Sequence, residues 1–262
     1  MHLRMKTQIL RLLLLLTLML LQACIPQRSI DGPMNRIEDN IKCSIRPLTL
    51  IVMLPGVYDK PKDFVDYGFI EAVRARNIDA DIQLVDAHIG YYTSQEIVNR
   101  LQEEVFAPAK VKGYKQIWFA GISLGGYGAM LFNANYPNML EGMLLMSPYM
   151  GSRDIPAEIQ KLGGLKKWIH SGEISTVDIN LWKSLQAYIN QSSELSKAYI
   201  GFGSSDRFAK INTLFSDVLP KSNSFEVAGG HDWITWLKLW DKFLDSAPLP
   251  RIDRRATNCA AI

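Results

Sequence analysis

The sequence predicts an α/β protein, with a mostly parallel sheet and helices on both of its faces. Three observations carry this. Short apolar runs recur along the chain, segments with helical periodicity separate them, and the runs are apolar at almost every position. Strands covered on both faces read that way, whereas a half-exposed strand alternates. Repeated strand–helix units then imply parallel pairing. With 262 residues the chain is long enough for one domain of this class with a substantial core.

The first segment stands outside that domain. Arg4, Lys6 and Arg11 precede an apolar stretch from Leu12 to Leu21 that is broken only by Thr17. This stretch is too short to span a bilayer, so residues 1–23 are expected to be a signal peptide. Leu21-Gln22-Ala23-Cys24 resembles the lipobox of bacterial lipoproteins, and the resemblance implies that Cys24 becomes the lipidated first residue. Ile25 rather than Asp follows it, which by the same resemblance favours the outer membrane, facing the periplasm. An ordinary secretory signal is the alternative. Without the three leader cations the formal charge of +3 falls to near zero. The basic balance therefore gives no argument for nucleic acid. Cys43 and Cys259 could pair in an oxidising compartment or be unrelated thiols. No Cys/His spacing suggests a metal site, and no cofactor is implied.

Residues 24–47 read as a polar linker, with Pro26, Gly32, Pro33 and Pro47 as breakers. The domain is expected to run from 48 to 246. Its first strand, 48–54, ends at Pro55-Gly56, and helical spacing follows over 63–76. A strand over 80–85 leads to Asp86-Ala87-His88. Thr93 and Glu96 form a capping-box pattern for a helix reaching about Phe106, before Pro108. A strand over 116–120, a helix stopping near Tyr136-Pro137 and a strand over 140–148 come next. Residues 151–191 interrupt the alternation with two helical patterns, 155–170 and 177–189, and are expected to cap the carboxyl ends of the strands, where ligands bind in such sheets. The alternation resumes with a strand at 198–203, a helix at 207–219, a strand at 224–228 and a helix at 233–244. The tail 247–262 is polar.

One stretch points to chemistry. Gly121-Ile122-Ser123-Leu124-Gly125 lies between the strand 116–120 and the small-residue helix that follows. Strand, Gly-x-Ser-x-Gly and helix is the context of a nucleophile elbow. The serine occupies a sharp, strained turn, and side chains two residues either side would collide, so both positions are glycine. A serine hydroxyl is a weak nucleophile and needs a base. His231, in Gly229-Gly230-His231-Asp232-Trp233, follows the last strand and is the candidate; His88 lies upstream of the serine and His170 lies in the insertion. Asp206, directly after the penultimate strand, is the candidate for orienting the imidazole, and helix capping is its competing role. Asp232 is the rival acid. The order Ser123, Asp206, His231 is that of an α/β-hydrolase. Two backbone donors for a developing oxyanion are assigned to Leu124 and Val57.

From residue 48 to about 244 the chain resembles the α/β-hydrolases, closest in flavour to the esterase D group, through GISLGGYGAM, GSSDRF and GGHDW. The resemblance implies a serine hydrolase that cleaves a small-molecule carboxylic ester through an acyl-enzyme. A thioesterase, acyltransferase or serine peptidase shares the same constellation, and a ligand-binding surface lipoprotein on a disabled hydrolase fold is the non-enzymatic alternative. Tyr58, Trp168 and Trp182 are the candidate pocket residues, although ordinary packing of cap helices is the favoured reading for most apolar residues of the insertion. Trp233, Trp236 and Trp240 share a helix face and read as core.

Overall fold

The computed structural model describes residues 28–42, 47–170, 176–190 and 195–252. The leader, Cys24, Cys43, Cys259 and most of the C-terminal tail lie outside them. In chain order the elements are β1 (Arg36–Asp39), β2 (Thr49–Leu54), α1 (Pro61–Asp66), α2 (Phe69–Ala75), β3 (Asp81–Val85), α3 (Ile89–Thr93), α4 (Ile97–Leu101), a π turn (Gln102–Phe106), α5 (Ala107–Val111), β4 (Gln116–Ile122), α6 (Leu124–Asn135), β5 (Gly142–Met146), α7 (Asp154–Lys161), α8 (Val177–Gln186), β6 (Lys197–Gly203), α9 (Ala209–Ser216), β7 (Ser224–Val227) and α10 (Trp233–Ser246).

The strands form one sheet in the order β1-β3-β2-β4-β5-β6-β7. Every pairing is parallel except that of β1 on β3. The continuous apolar runs are explained by two cores, one on each face. Leu50, Val52 and Leu54 of β2, with Ile117 and Phe119 of β4, pack on one side under α6, α8 and α9. Ile51 and Met53, with Trp118, Ala120 and Ile122, pack on the other under α1, α2 and α10. Successive residues point to opposite faces, so both parities must be apolar.

The topology places the site. From β2 the chain moves outward to β3, then returns past β2 to β4 and runs outward in the other direction. The connections from β2 and β4 therefore leave on opposite faces and open a crevice at the carboxyl ends of these two strands.

Four expectations need correction. Residues 36–39, read as linker, form the antiparallel edge strand. Its sequence, Arg-Ile-Glu-Asp, is too polar to signal a strand, and side chains hold it instead: Arg74 donates to Asp39 at 2.8 Å and Gln83 to Glu38 at 3.2 Å. The helix over 63–76 is two helices, broken where Gly68 adopts φ +81°. The break lets Phe64 and Phe69 meet edge to face, with centroids 5.3 Å apart. Thr93 ends a helix rather than opening one; His88 caps that helix, its Nδ1 accepting from the Gly90 N–H at 3.2 Å. Finally, Pro108 does not stop the segment. The π turn ahead of it relieves the clash, and the Glu104 carbonyl that its missing N–H leaves free accepts from Arg36 at 2.7 Å.

Candidate active site

β4 delivers Ser123 to the crevice. The residue has φ 49° and ψ −111°, caps α6, and is 5% exposed. A non-glycine residue in this region costs about 1–3 kcal/mol and persists only where its surroundings over-determine it. Here the Ser123 N–H donates to the Met146 carbonyl at 3.0 Å, and its own carbonyl accepts from Tyr149 at 2.9 Å and Tyr127 at 3.2 Å. The flanking glycines are required by contact: a Cβ on Gly121 would lie 2.4 Å from the Gly125 carbonyl carbon, and one on Gly125 would lie 2.0 Å from the Leu54 oxygen.

Asp206 closes a tight turn after β6, its N–H donating to Gly203 at 3.0 Å. Ser204 and Ser205 donate to the Val227 and Gly229 carbonyls at 2.8 and 2.9 Å, which ties this turn to the loop after β7. That loop carries His231. Its Nδ1 stands 2.8 Å from Asp206 Oδ2 and its Nε2 stands 3.0 Å from Ser123 Oγ. The Asp206 side chain is fully buried and that of His231 nearly so. Burial alone would push the Asp206 carboxyl up. Hydrogen bonds from His231 and the Phe208 N–H, with the Ser147 hydroxyl close by, outweigh it and hold the group below its ordinary range. With the carboxylate ionised, Nδ1 carries the ring proton and Nε2 is left to accept from the serine hydroxyl. Asp206 is not the cap of α9, whose cap position is Phe208 with no side-chain bond; its Oδ1 instead accepts from the Phe208 N–H at 2.7 Å in the turn before that helix.

Of the other candidates, Asp232 caps α10 through Thr235, at 2.9 Å to its N–H and 3.0 Å to its hydroxyl. His88 is a buried cap, and His170 faces Glu158 across 3.8 Å. The structure brings together Ser123, His231 and Asp206, and does not bring these three to them. Sequence reading missed three neighbours. Phe208 and Trp236 clamp the imidazole edge to face, at 5.1 and 5.0 Å between centroids, both at 89°. Trp236, read as core, is buried yet also lines the cleft. Ser147, at the end of β5, is fully buried with φ 45° and lies beside the Asp206 carboxylate. Its position after the neighbouring strand carried no signal of its own.

The cleft over Ser123 and His231 has a volume of about 240 Å³. Gly56, Val57, Tyr58 and Asp59 line it from the loop after β2, Arg207 from the turn after β6 and Trp236 from α10. Val57 and Tyr58 therefore stand where they were expected, Tyr58 with 82% of its surface exposed. Trp168 and Trp182 do not. They are 2% and 0% exposed and belong to the core, with the Trp182 indole donating to the Met150 carbonyl at 3.2 Å. The described part of 151–191 packs beside α6 and α9 rather than over the cleft, anchored by Asp178, which accepts from Tyr127 at 2.7 Å. Two helices with an apolar stripe pack equally well in either place, and the sequence alone did not separate them. Among the described residues, no acceptor takes the N–H of Leu124 or of Val57.

An alcohol hydrogen-bonded to an imidazole that a buried carboxylate orients can lose its proton as it attacks an electrophilic carbon. No protein-family profile matches the chain, and no curated protein matches it. Solved structures do. An S-formylglutathione hydrolase from Staphylococcus aureus aligns with a TM-score of 0.56 at 14% identity, over 83% of this chain and 98% of that one. Est1E from Butyrivibrio proteoclasticus gives 0.54 at 18%, over 83% and 91%. FphF, a fluorophosphonate-binding serine hydrolase of Staphylococcus aureus, gives 0.52 at 16%, over 82% and 98%. The sheet order, the crevice and these likenesses together establish that the chain has the α/β-hydrolase fold.

Proposed function

We propose that the protein is a serine hydrolase acting on small-molecule carboxylic esters. The observation that carries this reading is the relay itself: 3.0 Å from Ser123 Oγ to His231 Nε2, and 2.8 Å from Nδ1 to a buried, ionised Asp206. The names of two structural neighbours, both hydrolases, agree with it.

Ser123 Oγ attacks the ester carbonyl while His231 Nε2 takes its proton. The carbonyl oxygen becomes an oxyanion that accepts from the Leu124 and Val57 N–H groups, each such donor being worth about 3–4 kcal/mol in acyl transfer. Collapse breaks the ester C–O bond, and the departing alkoxide takes the proton from His231. Water then adds to the acyl-serine, giving its proton to His231. The second collapse releases the acid and returns the proton to Ser123. Asp206 stays ionised throughout and stabilises the imidazolium. Hydrolysis of nitrophenyl acetate tests the reading. Turnover by the wild type, absent in Ser123→Ala at an unchanged melting temperature, is the expected result. No turnover of any nitrophenyl ester from acetate to octanoate by the wild type would overturn it.

A further inference from the structure

The cleft holds a second carboxylate that the relay does not use. A Cβ placed on Gly56 would lie 2.3 Å from Asp59 Oδ2 and 3.7 Å from the Ser123 Cβ, so Asp59 and Ser123 face one another across a single glycine. The carboxylate itself fills the space that a side chain at 56 would need. It is fixed there: Oδ1 accepts from the Trp233 indole at 3.3 Å, and the Asp59 N–H donates to the Gly56 carbonyl at 3.2 Å. Oδ2 is the edge turned toward Gly56 and the cleft. The charged groups around Asp59 are Asp63 on α1, Arg28, His231 and, across the cleft, Arg207. Among the described residues no cation forms an ion pair with the carboxylate, and His231 offsets its charge only as the weakest of the influences on it. Asp63 adds repulsion, Arg28 reaches only the Asp59 carbonyl at 3.5 Å, and the Arg207 guanidinium lies 5.0 Å over the Phe208 ring.

We propose that Asp59 is a specificity-determining residue of the cleft, selecting esters whose acyl or alcohol portion carries a positive charge near the scissile carbonyl. This rests on the hydrolase reading above. A partly buried carboxylate with no ion-pair partner attracts a cation and repels an anion more strongly than one in open water. Partial burial pushes the Asp59 carboxyl up, against the Trp233 and Gly56 hydrogen bonds, and a bound cation would relieve that cost. The same charge opposes an oxyanion forming nearby, so a neutral substrate gains less from this site than a cationic one.

The test uses nitrophenyl 4-(trimethylammonio)butanoate, its neutral isostere nitrophenyl 5,5-dimethylhexanoate, and nitrophenyl hemiglutarate. At pH 7 the wild type is expected to favour the cation over the isostere by about tenfold or more in kcat/KM, equal to about 1.4 kcal/mol, and to disfavour the anion. Asp59→Asn, which keeps the Trp233 hydrogen bond, is expected to bring the cation-to-isostere ratio to about one. Asp59→Glu, which keeps the charge, is expected to retain the preference. Titration of both proteins with phenyltrimethylammonium supplies a readout independent of turnover, with binding expected to weaken at least about fivefold in Asp59→Asn. A ratio unchanged by Asp59→Asn, or equal ammonium binding by the two proteins, overturns the proposal. Failure of the wild type to turn over the neutral isostere would instead count against the hydrolase reading, and the titration would still decide the role of Asp59.

Discussion

Replacing Asp206 by Asn separates the charge of this residue from its shape. The variant keeps an oxygen for the Phe208 N–H at 2.7 Å and puts an amide NH₂ where Oδ2 now stands, 2.8 Å from His231 Nδ1. Two donors cannot face each other, so Nδ1 must become the acceptor and the ring proton moves to Nε2. The Ser123 hydroxyl then meets a donor at 3.0 Å instead of a base. Loss of the correct tautomer, together with loss of the charge that stabilises the imidazolium, is worth about 10³–10⁴ in kcat/KM, or about 4–5.5 kcal/mol. Steady-state hydrolysis of nitrophenyl acetate measures it. Urea denaturation measures the second consequence. Because the folded-state pKa of Asp206 lies below its ordinary 3.8, its ionisation stabilises the fold above that value, and the contribution is lost as pH falls through the folded-state pKa. The stability gap between wild type and Asp206→Asn should therefore be open at pH 7 and close in acid. A folded variant whose kcat/KM is within about tenfold of wild type would refute the reasoning.

Two further substitutions test separate parts of the account. Asp232→Ala removes the cap of α10 and should cost about 1 kcal/mol in stability, with kcat/KM within about threefold of wild type; a thousandfold loss of activity would make Asp232, not Asp206, the partner of the imidazole. Cys24→Ala should abolish palmitate incorporation in a bacterial host and release the protein to the soluble fraction, whereas incorporation that persists would remove Cys24 as the anchor.

Much of the site was legible because parallel strands end at the same edge. Once the apolar runs fixed the strands, Ser123, Asp206 and His231 had to emerge together, and the Gly121/Gly125 pair has no other explanation as economical as the turn that excludes their side chains. The loop after β2 was legible for the same reason, down to Val57 and Tyr58. What stayed hidden depends on long-range contact. The strand at 36–39 is specified by Arg74 and Gln83, residues remote in sequence, and not by its own polarity. The helix through Pro108 depends on a π turn and a carbonyl that Arg36 satisfies. Trp168 and Trp182 have the composition of a pocket and the burial of a core, and only packing decides between the two. Asp59 follows a turn where an acidic residue is commonplace, and its position opposite Ser123 is set by the backbone of Gly56.

The claim beneath all of this is that the Ser123 hydroxyl is activated by His231. Intact-mass and peptide mass spectrometry after treatment with a fluorophosphonate reads that directly. One covalent adduct, mapping to the peptide that contains Ser123 and absent from both Ser123→Ala and His231→Ala, is the predicted result. An adduct that forms at an undiminished rate in His231→Ala, or that maps to another residue, would contradict it.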